Sequence, residues 1–528
     1  MQLLDKLRTK HRFWGVSIDV LSGAGASLAL PPLFILPALF LLGIPVWQAI
    51  HAPSRLAAAR IFGAAGLGWF LASTFWVSHA LIVEASSLWV LTPFVALALA
   101  FILALFWAVA AALSWTQNGS AVVRLLCLIA VFGVTEWSRS FVATGFPWSL
   151  MGGLFAVHLG SLQMASVMGV YGLTLLAFGA AMAPLFWILS ARGLALLLVM
   201  IPLLGTGWGV LRLDSQLPAP SATAPSTDAS SANAPSTNAP KARLVQPVVP
   251  QNDKWNRQKR PAHLASLIAL SQTGTNSPDF VIWPETAFAG LPSQNRKLLA
   301  DTVRAATHSD GFLLTGIPRF NAARQPLNSA YLFDHQGGVR GVYDKHHLVP
   351  FGEYVPFRSW LPFLDIIAGP ADFVAGTQNR PLSVPGVGQV QMLICYEVIF
   401  AGRVIDRQNR PDVMVNVTND AWFGATIGPW QHLYQAQMRA VEEGVPLLRA
   451  ANTGISAAFD GFGRQLGSIP LGVRGYLDIP IPPVLTDPLF ARFGNAVFFA
   501  LCFFIGGSAW LVHARRRQVN SSDAQADH

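Results

Sequence analysis

Only three cysteines occur among 528 residues, Cys127, Cys395 and Cys502, and two of them lie in apolar runs, so no disulfide framework can be built. Charge is scarce as well: Asp, Glu, Lys and Arg together make up 12% of the chain, about half of what a soluble domain carries. The sequence has no C-x-x-C pair, no HExxH motif and no glycine loop suited to phosphate, which leaves no ground for expecting a metal centre or a cofactor. The adjacent His346 and His347 do not supply one, because neighbouring side chains point apart. No repeat of 20 to 50 residues recurs, so a solenoid is not expected. The net charge of +9 is concentrated beside apolar segments, and no nucleic-acid partner is expected.

What the chain has in abundance is apolar sequence, 52% of residues, with a mean hydropathy of +0.44. Runs of membrane-spanning length, about 20 residues, fall near 13–30, 32–50, 60–84, 88–115, 122–141, 161–189 and 192–212, with one more at 489–512. This predicts a multi-pass α-helical membrane domain of seven helices over residues 1–213 and a C-terminal helix over 485–514. Lys6, Arg8, Lys10 and Arg12 precede the first span, and Arg55, Arg60, Arg124 and Arg192 follow alternate ones. Arg515, Arg516 and Arg517 open a tail over 515–528. The positive-inside rule puts all of these in the cytoplasm and the intervening 213–488 outside, which in a bacterium is the periplasm. A cleaved leader is disfavoured, since spans continue after GAGASLA (23–29) and Asp19 interrupts the apolar core. Asp19 is expected to be solvated or hydrogen-bonded in a structural role.

Residues 214–242 are mostly Ala, Pro, Ser and Thr, a composition that cannot bury a core and reads as a flexible linker. Beyond it the texture changes to short β-branched runs at 243–249, 280–283, 312–317, 329–334, 390–396, 413–418, 446–452 and 456–460, with helical patterns at 262–272, 294–306 and 431–444 between them. The alternation predicts one α/β domain with a covered sheet over residues 243–484.

Three chemically capable residues each follow a strand-like run: Glu285 in FVIWPETAF, Lys345 in GVYDKHHLVPFGEYVPF and Cys395 in LICYE. A lone buried cysteine is ordinarily an inert small hydrophobe, and Glu and Lys ordinarily form surface ion pairs. The three matter together if a fold gathers strand ends into a crevice. A thiol near pH 7 is mostly protonated, so a carboxylate is needed as general base and an ammonium to favour thiolate and oxyanion.

These segments, with NVTNDAWFG (416–424) and RAANTGIS (449–456), resemble the nitrilase superfamily and, within it, the apolipoprotein N-acyltransferase family. The resemblance implies an αββα sandwich and a catalytic triad of Glu285, Lys345 and Cys395. It also implies supporting roles for Glu353, expected to pair with Lys345, and for Glu397, expected to orient the lysine, hold the turn after Cys395 or cap a helix. Tyr396 would offer a main-chain amide to an oxyanion. Trp255, Trp422 and Phe423 are candidates for contact with acyl chains or the membrane surface, with core packing equally open for Trp422. Asn419 and Asp420 are expected to shape a turn, and 361–369 could form a lid or an ordinary surface loop. The implied reaction passes an acyl chain from a membrane phospholipid through a Cys395 thioester to the α-amino group of a diacylglyceryl-cysteine on an apolipoprotein, in a monomeric enzyme. A membrane-tethered amidase is the alternative, and a transporter or receptor carrying an inactive domain a third.

Overall fold

The computed structural model describes residues 12–84, 86–117, 119–215, 239–274, 277–356, 358 and 372–526. The central part of the expected linker and the 361–369 segment lie outside the described residues. The chain divides into two compact units, one formed by residues up to Ser78, Leu91–Arg212 and Phe493 onward, the other by His79–Val90 and Leu213–Arg492.

The first unit is helical. Its main elements are α1 (Arg12–Ala26), α2 (Gly43–Ile50), α3 (Arg55–Thr74), α4 (Thr92–Ser114), α5 (Ala121–Ser138), α6 (Ala165–Ala181), α7 (Arg192–Asp214) and α11 (Ala496–Ala526). Among the described residues, five helical segments are long and apolar enough to cross a membrane, and the shorter apolar helices Gly15–Ala29, Leu36–Ile50 and Ala165–Ala181 accompany them. Small residues let α1 and α3 touch through their backbones. A Cβ on Gly68 would stand 1.8 Å from the carbonyl oxygen of Val20, so no larger residue fits there. The one carboxylate of α5, Glu136, is buried but satisfied: Trp107 Nε1 donates to it at 3.0 Å and Arg139 pairs with it at 2.6 Å. Pairing of this kind is what makes an intramembrane charge tolerable.

The second unit is built on two six-stranded sheets. In chain order the strands are β1 (Lys241–Gln246), β2 (Phe280–Ile282), β3 (Phe312–Gly316), β4 (Ser329–Asp334), β5 (Val339–Asp344), β6 (Leu382–Val384), β7 (Gly388–Ile394), β8 (Val413–Thr418), β9 (Leu447–Ala451), β10 (Ser456–Phe459), β11 (Gln465–Ile469) and β12 (Gly475–Pro480). One sheet runs β12-β1-β2-β3-β4-β5, the other β11-β10-β9-β8-β7-β6. Each has a parallel centre, β1-β2-β3 and β7-β8-β9, flanked by antiparallel strands. Helices α8 (Arg260–Gln272) and α9 (Arg296–Ala306) link the parallel strands of the first sheet, and α10 (Gly428–Glu443) links β8 to β9.

Strand periodicity sorts the side chains into layers. Ala242 and Leu244 of β1, Phe280 and Ile282 of β2, and Leu314 of β3 face Met392 and Ile394 of β7 and Val415 and Val417 of β8 in a core between the sheets. The alternate residues Val245, Val281 and Leu313 pack instead on Leu264, Leu267, Leu299 and Val303 of α8 and α9. The result is the αββα sandwich. Local signals set the helix limits: Pro261 and Pro429 occupy first-turn positions, where a missing N–H costs nothing, and Gly444 ends α10 in the left-handed conformation at φ +63°. The strands β5, β6, β11 and β12 were not among the expected runs. They are flanking strands with exposed or partly exposed residues, so their apolar pattern is diluted.

Candidate active site

The carboxyl ends of β2, β5 and β7 carry the three residues singled out above. Glu285 follows Trp283 and Pro284 beyond β2, Lys345 is the residue after β5, and Cys395 is the residue after β7. Tight local geometry sets each one. Gly316, at the end of β3, lies where a Cβ would be 2.2 Å from the Thr286 amide nitrogen, so only glycine lets the Glu285 loop close over it. Cys395 has φ +51°, a left-handed conformation that a residue with a side chain adopts only when its surroundings impose it.

All three side chains are buried, Lys345 being 1% exposed and Glu285 and Cys395 8% each. Lys345 Nζ lies 2.9 Å from Glu353 Oε2 and 3.9 Å from Glu285 Oε1. Asn328 joins the two carboxylates, its Nδ2 donating to Glu285 Oε1 and Glu353 Oε1 at 2.8 Å each. Val349 N–H donates to the other oxygen of Glu353 at 2.8 Å. Glu353 thus meets the lysine directly.

Glu397 does more than any one of the roles open to it in the sequence. Its Oε2 accepts the Ile394 N–H at 2.7 Å, capping the short turn that begins at Cys395. Its Oε1 accepts from Tyr343 Oη at 2.9 Å, His346 N at 2.8 Å and His347 N at 3.1 Å. One carboxylate therefore fastens the main chain just after Lys345, and the Tyr343 side chain just before it, to the nucleophile turn. The histidine rings are engaged elsewhere: His346 Nδ1 meets the Gly376 carbonyl at 2.8 Å, and the His347 ring lies 3.9 Å from that of Phe400.

Electrostatics follow from burial and from this crowding of charge. Burial, then the Glu285 carboxylate, push the Cys395 thiol up to about 12, against Lys345 and a hydrogen bond with Thr418. Burial opposes the charge on Lys345, yet Glu353, Glu285 and the thiol outweigh it and hold the ammonium above its usual pKa. Burial likewise raises Glu397, against its main-chain donors and the charge of Lys345. A second lysine stands close by: Lys254 is 6% exposed and donates to the Glu285 carbonyl oxygen at 3.0 Å. Burial lowers Lys254 to about 8, while Glu285 and Cys395 pull it up.

The aromatic candidates divide. Trp255, adjacent to Lys254, is 55% exposed. Trp422 and Phe423 are partly buried in the turn Asp420–Phe423, which packs against His79–Glu84. Tyr396 is 4% exposed, its ring 5.1 Å from that of Phe400. Asp420 opens the expected turn but also pairs with Arg449 at 2.6 Å and lies 3.0 Å from His432, because β8, β9 and α10 converge there. Asn328, Lys254, His432 and Arg449 are site residues that the sequence reading did not assign. Arg449 alone carried a signal, through the RAAN segment that begins with it.

Residues 241–486 match the carbon-nitrogen hydrolase family, and residues 22–183 match the apolipoprotein N-acyltransferase N-terminal domain. An apolipoprotein N-acyltransferase of Bradyrhizobium diazoefficiens is 35% identical, over 93% of this chain and 95% of its own. That of Agrobacterium fabrum is 36% identical over 92% and 93%. Among solved structures, an amidase from Nesterenkonia sp. is 22% identical, with a TM-score of 0.33, over 49% of this chain and 95% of its own. Similarity above 30% along nearly the whole length, with both units matched by family domains, means that the chain belongs to the apolipoprotein N-acyltransferase family.

Proposed function

We propose that this protein is a lipoprotein-modifying acyltransferase that carries an acyl chain on Cys395, with Glu285 and Lys345 as its catalytic partners. The observation that supports this most directly is the buried cluster of thiol, carboxylate and ammonium at three strand ends, in a chain that also carries membrane-length apolar helices. Glu285 takes the thiol proton as sulfur attacks the ester carbonyl of a phospholipid. The oxyanion that forms is stabilised by Lys345, with the Tyr396 main-chain amide as a second donor; one such donor contributes on the order of 3 kcal/mol. Collapse of the adduct expels the lysophospholipid alkoxide, which receives the proton from Glu285, and leaves an acyl thioester. A neutral α-amine of a diacylglyceryl-cysteine then attacks. Glu285 accepts the amine proton and returns it to the departing thiolate, so amide and free thiol are the products.

Glu353 keeps Lys345 charged through both halves of this cycle, and Glu397 keeps its loop against the nucleophile turn. Trp255 offers an exposed apolar face to an acyl chain. The basic residues beside the spans, Arg55, Arg60, Arg124 and Arg192, support an inner-membrane orientation with the catalytic unit in the periplasm.

The experiment is transfer itself. Full-length protein in detergent with phospholipid and a diacylglyceryl-cysteine peptide should add one acyl group to the peptide amine. A peptide blocked at its α-amine should gain none. Hydrolysis of small amides with no transfer to the peptide would instead support the amidase reading.

A further inference from the structure

Beneath the nucleophile lies a buried polar network that the transfer chemistry does not itself consume. Asp420, His432 and Arg449 have wholly buried side chains. Arg449 Nη2 donates to Asp420 Oδ2 at 2.6 Å. The other oxygen of Asp420 lies 3.0 Å from His432 Nδ1 and accepts from Thr418 Oγ1 at 3.0 Å. From these two residues the network reaches Cys395 at both ends. His432 Nε2 donates to the Cys395 carbonyl oxygen at 3.2 Å, and Thr418 hydrogen-bonds its thiol. Asn416, itself bonded through Oδ1 to Arg449, adds a donor to the same carbonyl at 3.4 Å.

The protonation state follows from the partners. A carbonyl only accepts, so Nε2 carries a proton. Burial and the neighbouring Arg449 hold His432 below its usual pKa, which keeps the ring neutral, and Nδ1 accepts from Arg449 Nη2 at 3.0 Å. Asp420 stays ionised because Arg449, with a hydrogen bond from Thr418, overcomes its burial.

Such a network is costly to bury, and apolar residues would stabilise the fold as well or better. What it provides is fixed geometry. Cys395 sits in a left-handed backbone conformation that its own side chain disfavours, and the same network grips its carbonyl and its sulfur. We propose that Asp420 is the positioning residue of the nucleophile, fixing the carbonyl of Cys395 through Arg449 and His432 and its thiol through Thr418, so that the sulfur stays aligned with Glu285 and Lys345. This rests on the acyl-enzyme reading above.

Single-turnover formation of acyl-Cys395 from dipalmitoyl phosphatidylethanolamine in mixed micelles tests it, using full-length wild type, His432→Leu, His432→Gln and Thr418→Val. His432→Leu should slow acylation at saturating phospholipid by about 10²-fold, leaving the half-saturating concentration and the melting midpoint near wild type. Glutamine at 432, which still offers a donor to the carbonyl, should recover most of that loss. Thr418→Val conserves volume and should also slow the step, which covers the case in which the leucine variant fails to fold. Wild-type rates in the folded variants would overturn the proposal, as would losses that follow the melting midpoint with glutamine no better than leucine. If wild type itself forms no acyl-Cys395, the acyl-enzyme reading fails instead.

Discussion

Lys345 lies 1 Å closer to Glu353 than to Glu285, 2.9 Å against 3.9 Å. The closer carboxylate engages the ammonium, and in the proposed mechanism the more distant one moves the protons. Asn328 spans both and keeps them apart in role while holding them together in space. Glu353→Gln should therefore lower turnover by about 10²-fold or more, since breaking a buried ion pair typically costs 3–5 kcal/mol. Steady-state transfer to the peptide amine measures it; wild-type turnover in Glu353→Gln would show that Lys345 does not depend on that pair.

The thiol, raised to about 12, is protonated at rest, and only the thiolate alkylates. The rate of Cys395 alkylation by iodoacetamide should thus climb roughly tenfold per pH unit from pH 7 to pH 10 without levelling. Glu285→Gln removes the charge that, after burial, does most to raise the thiol, so its alkylation at pH 8 should be faster than wild type even as acyl transfer is lost. A wild-type plateau near pH 7 would mean a preformed thiolate.

Glu397 joins two segments rather than serving one residue. Glu397→Ala should lower the stability of the catalytic unit by more than about 2 kcal/mol, because hydrogen bonds to a buried charged group contribute about 1.5–3 kcal/mol each. Tyr343→Phe, which removes one of the four bonds, should cost less than half as much. Chemical denaturation followed by tryptophan fluorescence compares them. Equal losses in the two variants would remove Glu397 from the junction.

Lys254 carries a pH signature of the same sign as a paired carboxylate, displaced to alkaline pH. Its folded value of about 8 lies below the 10.5 of an unperturbed lysine, so the folded protein releases this proton first and binds fewer protons between those limits. Stability contributed at this position is full above pH 10.5 and is lost as pH falls toward 8. Lys254→Met should abolish that slope, seen as a stability difference between variant and wild type that shrinks from pH 8 to pH 10. A difference independent of pH would show Lys254 to be unperturbed.

Much of the site was legible because its residues sit directly after strands whose apolar pattern is strong. Cys395 follows a strand with five consecutive buried residues, Val390 to Ile394, and Glu285 follows one that is wholly buried. Asn328 and His432 left no such mark. Asn328 gains its partners only when β4 pairs antiparallel with β3 and draws its N-terminal end beside Glu285. His432 occupies an unremarkable place on an amphipathic helix, and its meaning arises from the approach of α10 to the end of β7. Lys345 was found through its motif rather than its strand, since β5 is partly exposed and reads poorly by periodicity.

The most direct test of the account is the mass of the Cys395 peptide after full-length protein meets phospholipid alone, with no amine acceptor present. One acyl group on Cys395, matched by one equivalent of released lysophospholipid and absent from Cys395→Ser, is the predicted result. Lysophospholipid released with Cys395 unmodified, or an acyl group found on another residue, would contradict it.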